Sequence, residues 1–172
     1  MHQMRRQTGF TLIELLVVIG IAAILATVAA PSMVSLLDSV RLSSATNLLY
    51  GDLNRARSDA IKRNQRVLVC VRNAVGTGCS PSSTAWASGW LVCVDSNNDG
   101  ICDTGTSTEP NPFVVRDAAV GGLVVSTTAA STSVRFNPDG SFTGNQPFTL
   151  MKGTSGTQKQ IKISGIGNIT MQ

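Results

Sequence analysis

The sequence is short of charge and almost without histidine. Aspartate, glutamate, lysine and arginine make up 14% of the 172 residues, against roughly 25% in average soluble proteins. The one histidine is His2, so no imidazole further along the chain can serve as a general base. Abundant serine and threonine do not make a nucleophile without one. No Cys-x-x-Cys pair and no Gly-Lys-Ser phosphate loop occurs, which removes the usual signs of a zinc ribbon and of nucleotide binding. No catalytic constellation is left, and the chain reads as a non-enzyme without a cofactor. A net charge of +4 is too modest to imply nucleic acid by itself. Glycine, serine and threonine fill the space that charge leaves, which suits strands and turns on an extracytoplasmic surface. Apolar residues still reach 42%, enough for the core of one domain.

Charge is most scarce in one place. Residues 10–30, "FTLIELLVVIGIAAILATVAA", form an apolar run of 21 residues. As a helix it measures about 31 Å, the thickness of a bilayer core. Arg5 and Arg6 precede it, and after Glu14 no charge follows until Asp38. The positive-inside rule therefore puts the N-terminus in the cytoplasm and the remainder outside. Three readings compete: a secretory signal peptide cut after Ala30, a plain signal anchor, and a leader cut between Gly9 and Phe10.

Glu14 separates them. A carboxylate in a membrane helix costs about 2–3 kcal/mol on lenient scales, and its presence is a functional hint. A signal peptide or plain anchor gives it nothing to pair with. Cleavage after Gly9 creates a charged amine on Phe10, four residues from Glu14. If copies of the helix stack with an axial stagger, the amine of one neutralises the carboxylate of the next, and a costly charge sets register between copies.

On these residues the chain resembles type IV pilins. Gly9 stands before the cut, Phe10 after it, with Thr11, Leu12 and Glu14 following in "GFTLIELLVVIGIAAILATVAAP". The resemblance implies a leader of residues 1–9 removed by a prepilin peptidase, which also N-methylates Phe10. Loss of Arg5 and Arg6 lowers the net charge of +4 by two. It also implies an inner-membrane protein with a single span, a cytoplasmic N-terminus and a periplasmic C-terminal domain. From there the protein is assembled into a filament. Pro31 lacks an N–H and crowds the preceding turn, so it marks a kink, and Gly20 is a second soft point.

Helix is expected to continue through residues 31–64. Leu42, Ala45, Leu49, Leu53, Ala56 and Ala60 recur at steps of three and four, which marks one apolar face. Leu48 and Ile61 are expected to widen it. Asp52, Arg55, Asp59 and their polar neighbours are assigned to the other face, where Asp59 can pair with Arg55 and Arg63. Near 55 residues, this helix reads as a stalk leaving the membrane. After Asn64 the period becomes two. Strands are expected over residues 66–72, 89–95, 112–116, 121–127, 133–140, 147–151 and 160–165, with a short last one at "NITM". The fold class is α+β: a long N-terminal helix packed on antiparallel sheet, with residues 65–172 as the β-rich domain. "LNRARSDAIKRNQRVLVC", "WASGWLVCVDSNNDG" and "VRFNPDG" make this part similar to the FimT/FimU minor pilins and GspH pseudopilins. That similarity implies a sandwich-like arrangement of strands on the helix. The partners it implies are other major and minor pilins or pseudopilins.

The four cysteines are Cys70, Cys79, Cys93 and Cys102. Outside the cytoplasm they can oxidise, in any of three connectivities. Each sequential pair encloses eight residues rich in Gly, Ser or Asn, which favours Cys70–Cys79 and Cys93–Cys102. A zinc site is the rival, without a histidine beyond the leader. "DSNNDGICD" carries Asp95, Asn97, Asp99 and Gly100, the first half of a calcium loop. Thr106 stands where the bidentate glutamate belongs, and Asp103 fits only with a different geometry, so the bland reading is an Asx-rich turn. Some FimT proteins carry Gly-Arg-x-Arg near the C-terminus. Here the stretch is Gly167-Asn168-Ile169-Thr170, without either arginine. Lys152, Lys159 and Lys162 can alternate across faces. DNA is not the expected partner. The functional expectation is a minor pilin that helps initiate a type IV pilus. A type II secretion pseudopilin and a DNA-binding pilin are the alternatives.

Overall fold

The computed structural model describes residues 10–81, 85–105, 110–118, 123–127, 131–143, 148–152 and 157–172. The side chains of Val28, Ala30, Pro31, Ser32 and residues 149–152 are not included. The leader with His2 and Gly9, Thr106, and most of "GTSGT" thus lie outside the described residues, as do the side chains of Pro31 and Lys152. Two compact units are present, one ending at Leu37 and one spanning Asp38–Gln172.

One helix, α1, covers Leu12–Arg63. Its end is set locally. Asn64 takes a left-handed φ of 51°. The Gln65 N–H reaches Ala60 O at 3.2 Å and the Asn64 N–H reaches Ile61 O at 3.3 Å, the paired bonds of a Schellman cap with Asn in the usual glycine position. Lys62 and Arg63 in the last turn suit the negative end of the helix dipole.

Among the described residues eight strands follow, all paired antiparallel. They are β1 (Val67–Val71), β2 (Trp90–Val94), β3 (Val114–Val115), β4 (Leu123–Thr127), β5 (Ser133–Phe136), β6 (Phe148–Lys152), β7 (Gln158–Ile163) and β8 (Ile169–Met171). The first sheet has the order β3-β2-β1-β5 and the second β4-β6-β7-β8. A 3-10 turn at Trp86–Ser88 had no sequence expectation. It seats Trp86 edge-on to Phe148, ring centroids 4.8 Å apart, with the indole N–H donating to Ser131 O at 2.8 Å. Two expected strands are shorter than their apolar patterns. Pro112 has no N–H to give a ladder, and only Val114–Val115 pair with β2. Strand β5 stops at Phe136 because "NPDG" turns: the Gly140 N–H donates to Asn137 O at 2.8 Å, with Gly140 at φ 77°.

The core draws on the helix and both sheets. Leu42, Leu49, Leu53, Ala56 and Ala60 are buried with Val67, Val69, Val92, Phe136, Phe148, Ile161 and Ile163, and Ala45 packs against them half-buried. Leu48 and Ile61 were expected to widen the face. Instead they remain 48% and 49% exposed: they lie on opposite flanks of the stripe, and burial closes inside them, at Thr46 on Ile61's side and at Asp52 on Leu48's side. Thr46 satisfies its hydroxyl on Leu42 O at 2.7 Å.

Asp52 is the larger correction. It is buried at 3% exposure rather than solvated, and it is fully partnered. Arg116 grips it with two parallel bonds, Nε to Oδ2 at 2.8 Å and Nη2 to Oδ1 at 2.9 Å. The Trp90 indole N–H adds a third at 2.9 Å. The carboxylate holds the Arg116 pKa above its ordinary value, chiefly through these hydrogen bonds. Arg57 ties the helix at a second place, donating to Gly140 O at 3.0 Å and Ile166 O at 3.2 Å. The two turns it clamps touch so closely that a Cβ on Gly167, φ 78°, would lie 1.9 Å from Gly140 O. Lys159 Nζ to Ser43 Oγ at 3.1 Å is a third tie.

Removing the buried carboxylate leaves a half-exposed guanidinium and a buried indole N–H without their acceptor. Asp52→Ala should cost about 2–4 kcal/mol of stability, read by denaturant unfolding of the full chain in detergent. The double variant with Arg116→Ala should lose less than the sum of the single variants. Additive losses would show that the two groups do not act as a pair.

Candidate functional site

The site begins where the helix does. Thr11 lies just before α1 and acts as its N-cap: its side-chain oxygen accepts the Glu14 N–H at 3.3 Å. The first helical bond, Leu15 N–H to Thr11 O, measures 3.2 Å. Thr11 and Glu14 thus have the Ser/Thr-x-x-Glu spacing of a capping box. An acid at this position also suits the positive end of the helix dipole. Sequence reasoning placed Glu14 opposite the Phe10 amine and overlooked the cap, although the spacing was there to read. Phe10 is 80% exposed, and Gly9 lies outside the described residues.

Beyond the cap the helix surface is bare. Leu12, Ile13, Leu15, Leu16, Val17, Val18, Ile19, Ile21, Ile24 and Leu25 are all more than half exposed. Thr27, the polar interruption, turns its hydroxyl onto Ile24 O at 2.7 Å, which removes a free donor from an otherwise apolar surface. Gly20 and Pro31 both lie within the helical span. A Cβ on Gly20 would meet nothing within 4 Å, so packing inside the chain does not require glycine there. Among the described residues no helix is long and apolar enough to cross a membrane. The helix side chains are described without a gap over residues 12–27, about 24 Å of helix, and those of Val28 and Ala30 fall outside the described set.

The cysteines sit on the opposite side of the first sheet from the core. Cys70 is bonded to Cys79 and Cys93 to Cys102. With Leu68 and Leu91 they form a small second cluster, which explains why all five residues of β1 are buried.

The "DSNNDG" loop uses its acids internally. Asp95, fully buried, accepts the Asp99 N–H at 3.0 Å and the Gly100 N–H at 3.1 Å, and pairs with Arg135 at 3.2 Å. Asp99 accepts from Ile101 N–H and the Asn97 amide. Asp103 accepts from Ser96 twice. Oxygens committed to N–H and O–H donors are poorly placed to converge on a calcium ion, which needs six or more. Among the described residues these acids form no metal-capable group with one another. On β7, Lys159 is half-buried toward α1, whereas Lys162 is exposed and donates to the Gln172 side chain.

Comparison with known proteins adds two family matches. Residues 45–167 match the model described as type II transport protein GspH. Residues 4–30 match the prokaryotic N-terminal methylation motif. Two solved structures of the type IV minor pilin FimU from Pseudomonas aeruginosa (strain PAO1), in space groups P65 and P21, share the fold. Each has a TM-score of 0.56 and 18% identity over 76% of this chain, covering 91% and 87% of the FimU chains. No curated protein sequence matches at a significant level.

The sulfur pairing has a direct check. A non-reducing digest should yield Cys70 joined to Cys79 and Cys93 joined to Cys102, with no free thiol. A Cys70–Cys93 peptide would contradict the structure.

Proposed function

Because the chain belongs to the GspH family of type II transport proteins, we propose that it is a minor pilin that helps to start a type IV pilus. Its residues 1–9 are removed as a leader and Phe10 becomes the methylated N-terminus. As a minor pilin or pseudopilin it is a structural subunit, and its work is assembly rather than catalysis. The bare apolar surface of α1 around residues 12–25 carries the reading. At about 25 cal/mol per Å², such a surface is driven out of water, first into lipid and then against the helices of neighbouring subunits. Charge asymmetry at the leader supports a cytoplasmic N-terminus, a span over residues 10–30 and a periplasmic domain. The FimU-like fold favours the pilus. The family name favours the second reading, a pseudopilin of a type II secretion filament, which would use the same helix.

Glu14 has two duties in this scheme. Its backbone N–H serves the cap within its own helix, and in a filament its carboxylate neutralises the Phe10 amine of a neighbour. Glutamine fits the same capping position but carries no charge. The two duties are therefore separable.

Intact-mass analysis of membrane-extracted protein should give a chain beginning at N-methyl-Phe10. A chain beginning at Pro31 would replace this reading with an ordinary secreted protein.

Glu14→Gln should be processed, stay in the membrane and keep its soluble domain folded, yet be depleted at least tenfold from sheared filaments relative to membranes. Equal incorporation of mutant and wild type would remove the charge pair from the mechanism. Loss from the membrane itself would shift the role of Glu14 to biogenesis.

A further inference from the structure

The two disulfides are not separate staples. The Sγ atoms of Cys70, Cys79, Cys93 and Cys102 all lie within 4.8 Å of one another, and Cys79 Sγ stands 3.7 Å from Cys102 Sγ across the two bonds. The ladder causes this. β1 pairs with β2 so that Leu68 faces Cys93 and Cys70 faces Leu91, which puts Cys70 and Cys93 diagonally on one face. Each following loop then returns a second cysteine to the same spot.

The loops are held there by bonds that involve no sulfur. Around the first loop, Asn73 N–H reaches Gly78 O at 2.8 Å and Ser80 N–H reaches Val71 O at 2.7 Å. Around the second, Asp103 N–H reaches Val94 O at 2.9 Å and the Asn111 amide donates to Asp103 O at 2.7 Å. Opening the S–S bonds therefore leaves four thiols gathered in place. A tetrahedral four-thiolate zinc site has sulfurs about 3.8 Å apart, from a Zn–S bond of about 2.3 Å. Cys79 and Cys102 Sγ already stand 3.7 Å apart and no two sulfurs are more than 4.8 Å apart, so once the two bonds open, each bonded pair has only to separate by less than about 2 Å.

The surroundings suit such a site. Four thiolates around a divalent ion leave two negative charges, and Arg135 stands opposite Leu68 on the same face. Its Nη2 is paired with the buried Asp95 at 3.2 Å, but its Nε is buried with no hydrogen-bond partner among the described residues, which leaves one donor on this face unspent. Leu68 and Leu91 keep the floor dry.

We propose that, when reduced, this cluster is a four-cysteine site for a soft divalent metal of the zinc type, and that the metal and the two disulfides are alternative closures of the outer face. The chemistry balances. Two dithiol molecules deliver four electrons and four protons, leaving as two disulfides, and the chain gains four thiols. Binding Zn²⁺ then releases those protons as the thiolates form. Two disulfide oxidants reverse the change and expel the ion. A chain newly delivered to the periplasm, still reduced, would be held by metal until it is oxidised.

Cobalt is the probe. Full-length protein in detergent is reduced with a phosphine, freed of it without air, and titrated with Co²⁺. One ion per chain should bind, with the thiolate charge-transfer and intense d–d bands of tetrahedral four-sulfur cobalt, and Zn²⁺ should bleach them. Cys79→Ser with Cys102→Ser should weaken binding at least a hundredfold while far-ultraviolet circular dichroism is kept. Strong denaturant should abolish the bands. The proposal is overturned if the oxidised protein binds equally well, if the reduced protein gives only weak octahedral bands, or if the double variant or the denatured chain binds as tightly.

Discussion

The rest of the domain depends on one buried carboxylate. Asp52 presents both oxygens to Arg116 and shares one with the Trp90 indole. Apolar contacts between a helix and sheets are non-directional, so the leucines and alanines of α1 drive it onto the core without fixing where along its length it stops. A bidentate arginine and an aimed N–H are directional. They define which turn of the helix meets the start of β2 and the segment after β3. Burying the pair has a desolvation cost, which is met by leaving no oxygen of Asp52 unpartnered.

A glycine pair extends the same logic. Arg57 reaches carbonyls in two different turns at once, and the turns come close enough for this because neither carries a side chain at the contact. At Gly167 the left-handed φ and the carbonyl of Gly140 together exclude any Cβ. The turn after β5 and the turn between β7 and β8 belong to different sheets, so this small contact is one place where the sheets and the helix are joined by polar bonds.

The element order was legible in the sequence because each element announces its own period. α1 declared itself through its step of three and four, and β1 through the alternation in "VLVCV". Those are local signals. What the sequence hid was relational. Asp52 sits in phase with Leu49 and Ala56, and the stripe itself could have flagged it, but the acceptor's partners come from 38 and 64 residues away. Leu48 and Ile61 were misplaced for the same reason: the period identifies a face, and only packing sets its width. The cysteine loops were suggestive by spacing, yet the meeting of the two loops depends on the β1–β2 register, which no single loop encodes. Around Glu14 the position is reversed. The sequence raised a partner for its carboxylate in a neighbouring subunit, and the structure added one for its backbone N–H, the Thr11 hydroxyl oxygen.

Three polar ties on α1 lie at Ser43, Asp52 and Arg57, spread over about 21 Å of helix. Each leads to a different part of the domain: β7, the segment after β3, and the two glycine turns. A pull along the helix axis loads them in parallel, as shear, so none can be peeled away before the others bear force. A subunit held by its helix and tugged by its domain resists in the stiffer of the two geometries available to it.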